Sequence, residues 1–129
     1  IFDMAMDFPM EFSAVGVFSG SFWWRSKDLK DGYKDERDRI MHAKIRGKSS
    51  NIHQRFYLQT GALDEKADRN NNGIIDSIDD TLDIIKELES IGFDASAQVK
   101  YVEIPDGKHD VATWKRAMPD FLEWLAIKK

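Results

Sequence analysis

The chain has no cysteine. Disulfides, thiolate metal sites and cysteine nucleophiles are therefore excluded, and the redox compartment leaves no trace. Long apolar runs are missing too, so no segment reaches the roughly 20 residues a helix needs to span a bilayer. No basic run interleaves with aromatics, and 19 Lys and Arg stand against 23 Asp and Glu, a net charge of −4. That balance removes the electrostatic case for nucleic acid. Internal repeats, low-complexity tracts and a signal-peptide pattern are also absent. What remains is 129 residues of ordinary globular mixture, enough for one modest domain.

Within that domain the hydrophobic pattern alternates between two periods. IFDMAMDFPMEF opens the chain with Phe2, Ala5 and Met6 on one helical face and no capping residue before them. Such a start is expected of a helix entered midway. AVGVFSG, Ala14 to Gly20, is a continuous apolar run suited to a strand buried on both faces. Lys34 to Arg46 is charge-rich with Ile40, Met41, Ala43 and Ile45 interspersed, and reads as one surface helix. RFYLQTG, Arg55 to Gly61, is a second strand. Leu82, Ile85, Leu88 and Ile91 recur at helical spacing, with acidic residues in the first turn and Gly92 as the stop. Gln98 to Ile104 alternates as a third strand. Val111 to Leu125 is helical but contains Pro119, which predicts a kink or a second helix. Helix, strand, helix, strand, helix, strand, helix implies an α/β fold with about three parallel strands and helical crossovers. The first strand expects neighbours on both sides, so an N-terminal half is expected elsewhere. Left as an open apolar edge, that strand predicts that the isolated chain forms a homodimer.

The stretch DRNNNGIIDSID, Asp68 to Asp79, has the ligand spacing of a helix-loop-helix calcium loop. Oxygen ligands at positions 1, 3, 5, 7, 9 and 12 would be Asp68, Asn70, Asn72, the Ile74 carbonyl, Asp76 and Asp79. Gly73 falls where the loop turns sharply. Ca²⁺ is a hard ion, and alternate positions aim hard oxygens inward. Aspartate at the last position shortens the reach, two asparagines lower the ligand charge, and no good helix precedes the loop. The sequence resembles the calcium loops of dockerin modules, and its role would be structural. The competing reading is a polar Asn-Gly turn before a capped helix. A weak calcium site fills only where calcium is abundant, which points outside the cytoplasm.

TGALDE and GKHD each follow a strand, where open α/β sheets place their sites. Asp64 and His109 thus occupy neighbouring strand-end loops, in the order acid then histidine that an α/β-hydrolase uses. An acid orienting a histidine is two-thirds of a nucleophilic triad. Equally, Asp64 can be a turn residue and His109 a loop residue without chemistry. His42 and His53 lack strand-end placement and read as surface residues.

FPMEFSAVGVFSGSFWW, YLQTGALDE and EIPDGKHDVATWKRAMPDFLEWL together resemble the C-terminal half of the putative esterase family. That family includes enterochelin esterases, esterase D and feruloyl esterases. The resemblance covers nearly the whole chain, with 68–79 as an insertion. It implies that residues 1–129 are the C-terminal part of one α/β-hydrolase domain that cleaves carboxylic esters with a Ser-Asp-His triad. His109 would be the general base and Asp64 the orienting acid, with Glu65 a weaker substitute. Trp23 and Trp24 would wall the substrate side, against a small-molecule or carbohydrate ester, with core packing an equal reading for one of them. Trp114 and Trp124 would be core. The family's G-x-S-x-G is missing. GVFSG carries its serine one place late, and no helix opens after it, so Ser19 and Ser21 are poor nucleophiles. The nucleophile is expected roughly two helical turns before Ile1, and the oxyanion-hole amides upstream as well. Alone, the chain is expected to be inactive. Two other readings compete: a non-catalytic carbohydrate-binding domain using Trp23 and Trp24, and a calcium-dependent interaction module. The second wants a second loop, and the sequence has one.

Overall fold

The central segment RFYLQTGAL decides the architecture. It forms strand β2, Arg55–Leu63, and Phe56, Tyr57, Leu58, Gln59 and Thr60 are all buried. A strand covered on both faces needs partners on both edges and layers above and below. The computed structural model, which describes residues 1–127, supplies them. Strand β1, Ala14–Phe18, and strand β3, Val99–Lys108, flank β2 in the order β1-β2-β3, and both pairings are parallel. The fold is α/β, with three parallel strands between helices.

On one face, Val15, Phe56 and Leu58 pack against helices α1 (Phe2–Asp7), α3 (Ile40–Arg46) and α4 (Asp76–Ser90). Phe2, Ala5, Met6, Ile45, Ile84 and Leu88 fill that layer. Phe2 meets Phe22 edge-on, with ring centroids 5.3 Å apart, and Phe93 meets Phe56 at 5.5 Å. The other face carries α6, Val111–Ala126. Phe121 and Trp124 lie over Tyr57, and Phe121 over Phe18. Gly16 admits this layer, since a Cβ there would stand 2.6 Å from the Phe121 ring. Helix α4 ends in a left-handed Gly92 (φ 108°), and the amides of Gly92 and Phe93 reach back to Glu89 and Leu88. This is the glycine stop that the sequence implies. No helix among the described residues is long and apolar enough to cross a membrane.

Three expectations are corrected. Lys34–Arg46 is two helices rather than one: α2, Asp35–Asp38, and α3. Arg39 between them is extended (ψ 117°) and pairs with Arg25. That break lets its guanidinium turn inward, onto Asp80 at 2.9 Å and Asp83 at 2.8 Å. His42 is therefore no surface residue. It is fully buried, and its Nε2–H donates to the Asp80 carbonyl at 2.8 Å. His53 is exposed, as expected. Pro119 neither ends α6 nor starts a second helix. It and Lys115, whose carbonyl loses a donor, lie on the exposed side, where that carbonyl is open to solvent.

Burial, and secondarily the Arg39 charge, lower the His42 pKa. Above about pH 6.5 the ring is neutral folded or unfolded, and the fold has its full stability from this group. As pH falls through that value the unfolded chain takes up a proton that the folded chain resists, so stability is lost down to the depressed folded value. Thermal unfolding from about pH 8 to 5 should show Tm falling below about pH 6.5. His42→Gln should remove that part of the slope. Identical profiles for the two proteins would exclude His42 as its source.

Candidate active site

The carboxyl ends of β2 and β3 are drawn together by glycine. A Cβ at Gly61 would come within 2.5 Å of the Gly107 carbonyl group and 2.7 Å of Asp64 Oδ1. A Cβ at Gly107 would stand 3.1 Å from the Gly61 Cα. With hydrogen in both places the two backbones touch. Beyond an irregularity at Gly61, Leu63 pairs with Lys108. Asp64 and His109 each follow that pair by one residue.

Asp64 is half-buried and held by three donors. Oδ2 accepts from the Gly61 amide at 2.9 Å and from Ser77 Oγ at 3.1 Å. Oδ1 accepts from Ser19 Oγ at 3.1 Å. The Asp64 amide in turn donates to the Gly61 carbonyl. Each donor comes from a different place: the strand-end turn, the first turn of α4 and the end of β1. Glu65, the substitute acid, receives no hydrogen bond from the described residues. Burial, with Asp76, Asp80 and Asp64 nearby, pushes its pKa up. Of the two neighbouring carboxyls, only Asp64 is braced by hydrogen bonds from the described residues.

His109 lies in a very short connection. Lys108 ends β3, and Asp110 caps α6 by accepting from the Thr113 amide at 2.9 Å. That bond and the Thr113 hydroxyl lower the Asp110 pKa. Thr113 Oγ1 accepts from the Lys108 amide at 2.9 Å, which closes the turn. The His109 ring is exposed, and its one ring contact is edge-on with Trp114, at 5.3 Å and 74°. Among the described residues no hydrogen bond joins His109 to Asp64. The structure brings the two to the same sheet end on adjacent strands, with Asp64 fixed and His109 open to solvent.

Trp114, expected in the core, instead serves this site. Its Nε1–H donates to Ser19 Oγ at 3.0 Å while its ring touches His109. Trp124 is in the α6 aromatic layer, as expected. Sequence reasoning missed the roles of Trp114, Ser19 and Ser77. A signal existed for the first, because a tryptophan in a packed interior still needs an acceptor for its N–H.

Trp23 and Trp24 do not form one wall. Trp24, 60% exposed, lines a cleft of about 500 Å³ with Ile1, Phe18, Ser19, Ser21 and Met41. Trp23 borders a different cleft of about 320 Å³, with Arg25, Leu29, Glu65, Asp68 and Arg69.

The acidic loop folds on itself. Asp68 accepts from the amides of Asn72 at 3.1 Å and Gly73 at 2.8 Å. Asn70 Oδ1 accepts from the Asn72 amide, Asn72 Oδ1 from that of Ile74, and Asn72 Nδ2 donates to Asp79 at 2.7 Å. Asn71 and Gly73 are left-handed, at φ 56° and 83°. Asp76 is drawn elsewhere: Oδ1 accepts from the Arg69 amide at 3.0 Å and faces its guanidinium at 3.4 Å. Among the described residues no cluster of three or more acidic or histidine side chains is arranged to hold a metal. As donors, Asp68, Asn70, Asn72, Asp79 and the Ile74 carbonyl are all hard oxygens on one turn, a set that suits a hard cation.

A family model described as Putative esterase matches residues 3–125. No curated protein matches the chain. Among solved structures, the enterobactin esterase from Shigella flexneri, crystallised in the presence of 2,3-di-hydroxy-N-benzoyl-glycine, superposes with a TM-score of 0.61 at 19% identity. The alignment covers 96% of this chain and 29% of that one. A second structure, enterochelin esterase from Shigella flexneri, gives a TM-score of 0.62 at 19% identity, over 94% of this chain and 26% of that one. At such identity the likeness is one of fold, and this chain spans less than a third of their length.

The glycine contact at the site has a measurable consequence. Gly61→Ala should cost about 1–3 kcal/mol in urea unfolding, because the added methyl meets backbone that cannot swing aside. Unchanged stability would mean that the strand ends do not touch as described.

Proposed function

Because this chain belongs to the putative esterase family, we propose that it supplies the acid and base of a serine esterase. Asp64 is the orienting acid and His109 the general base. The observation that carries this reading is the convergence of three donors on Asp64, one residue beyond a strand pair that leads on its other side to His109. A carboxylate so held is fixed in direction, which is what a partner to an imidazole must be.

The nucleophile comes from outside residues 1–129. Ser19 is buried and its hydroxyl hydrogen is committed to Asp64 rather than to a histidine. In the reaction, the serine oxygen attacks the ester carbonyl while His109 takes its proton. His109 then returns that proton to the leaving alcohol, and water releases the acyl group by the same route in reverse. Asp64 holds the imidazole tautomer and balances its transient charge. A small-molecule or carbohydrate ester is the substrate class, with the Trp24 cleft as its apolar wall.

We propose also that the loop 68–79 takes Ca²⁺ through Asp68, Asn70, Asn72, Asp79 and the Ile74 carbonyl, with Asp76 remaining on Arg69. These oxygens would hold the ion, which would supply charge neutralisation and rigidity to the turn. A location outside the cytoplasm goes with this reading.

Two experiments test these readings. Fluorophosphonate labelling of the protein that combines this chain with its nucleophile should mark a serine outside residues 1–129. There His109→Ala or Asp64→Asn should lower kcat on p-nitrophenyl acetate by about 10⁴-fold. This chain alone should not hydrolyse it. Hydrolysis by the chain alone, lost in Ser19→Ala, would refute the assignment. No labelling, with sugar binding retained, would favour the carbohydrate-binding reading. For the loop, Ca²⁺ at a hundredfold its Kd should add about 2.7 kcal/mol of stability. Asp68→Ala should abolish the gain, and an unmoved Tm in millimolar Ca²⁺ would leave a turn that needs no metal.

A further inference from the structure

We infer that Ser19 and Trp114 are positioning residues: the indole N–H orients the Ser19 hydroxyl, and that hydroxyl fixes the Asp64 carboxylate with one lone pair left for His109. The inference rests on the reading of Asp64 and His109 as acid and base.

The direction of every hydrogen in this relay follows from chemistry. An indole nitrogen donates only, and an ionised carboxylate accepts only. Ser19 Oγ lies 3.0 Å from Trp114 Nε1 and 3.1 Å from Asp64 Oδ1. It must therefore accept from the tryptophan, and its single hydrogen must point at the aspartate. Without Trp114 the hydroxyl would be free to rotate toward other acceptors.

Counting lone pairs shows what the relay leaves open. A carboxylate offers about four acceptor sites, two on each oxygen. Oδ2 uses both, on Gly61 and Ser77. Oδ1 uses one, on Ser19. Among the described residues, the oxygen with a single donor is the one whose direction Ser19 sets. The same tryptophan that orients Ser19 also presents its ring to the edge of His109. One side chain thus touches the base directly and the acid through a single hydroxyl.

The backbone at Ser19 gives a second, independent reason. Its φ is 49°, in the left-handed region, which glycine enters freely and other residues at a cost. Its amide still continues the sheet, donating to the Gln59 carbonyl at 2.8 Å. Glycine would satisfy everything the backbone needs here. What serine adds is the hydroxyl, aimed at Asp64 from a buried position.

That contrast supplies the test. In the protein that combines this chain with its nucleophile, Ser19→Gly removes the hydroxyl and relieves the backbone at once. We expect kcat on p-nitrophenyl acetate to fall roughly ten- to a hundredfold, the range for losing a hydrogen bond to a charged group. KM should be little changed and Tm not lowered. Trp114→Phe, which keeps a ring beside His109 but has no N–H, should lower kcat in the same way, and the double variant should be no worse than the poorer single one. In this chain alone, the Trp114 indole N–H proton resonance should move upfield in Ser19→Gly. Wild-type kcat in Ser19→Gly, with kcat lost in Asp64→Asn, would overturn the positioning role and leave the acid assignment standing. A kcat loss that tracks a fall in Tm would also overturn it. Full activity in Asp64→Asn would refute the acid assignment itself.

Discussion

A carboxylate buried between two guanidinium groups organises one side of this molecule. Asp80, on α4, is fully buried and binds Arg39 from the break between α2 and α3. It also binds Arg69 from the acidic loop, through both of its oxygens. Arg69 extends the network to Asp35 at 2.8 Å, and Tyr33 donates to the same carboxylate at 2.6 Å. Charges this deep are tolerated only when paired, and losing one partner strands the other in a medium that cannot solvate it. The network therefore fixes three segments with no regular structure in common. Pinning α4 at Asp80 also sets the depth of its first turn, and Ser77 in that turn reaches Asp64. The acid of the candidate site is thus held from the sheet by Gly61 and from the ionic layer by Ser77.

The parallel sheet does the rest. All three strands point the same way, so their ends deliver Ser19, Asp64 and His109 to one rim. Close approach of the rim segments is a matter of missing atoms: Gly61 and Gly107 have no side chains to keep them apart. The polar groups are then arranged by valence. Trp114 can only donate, Asp64 can only accept, and Ser19 mediates between them.

Much of this was legible in the residues. The three strands, with β2 buried on both faces, the amphipathic α4 and its glycine stop, and the strand-end placement of Asp64 and His109 follow from hydrophobic period and chain order. The failures share a cause. Lys34–Arg46 has the composition of a surface helix, yet Arg39, Asp38 and His42 are buried. The burial of Arg39 and His42 is permitted by partners 38 to 44 residues away, which no local pattern announces. Asp76 fits a loop ligand by spacing, and its contact with the arginine inside the same loop is equally invisible to spacing. Trp114 shares its helix with tryptophan and phenylalanine that are core, and only the position of Ser19, 95 residues earlier, tells it apart.

The two residues proposed as acid and base sit on strands of unequal security. Asp64 extends β2, which is paired along both edges and covered on both faces. His109 extends β3, an outer strand whose last residues alternate with solvent. Backbone amides in such a central strand exchange with water only when the whole domain opens, whereas an outer strand's end opens by fraying. On heating, the histidine would be released while the aspartate was still in place. The rim geometry around His109 would then be lost at temperatures where the spectroscopic signature of the fold is intact, and its return on cooling would be fast, since only a strand end has to close.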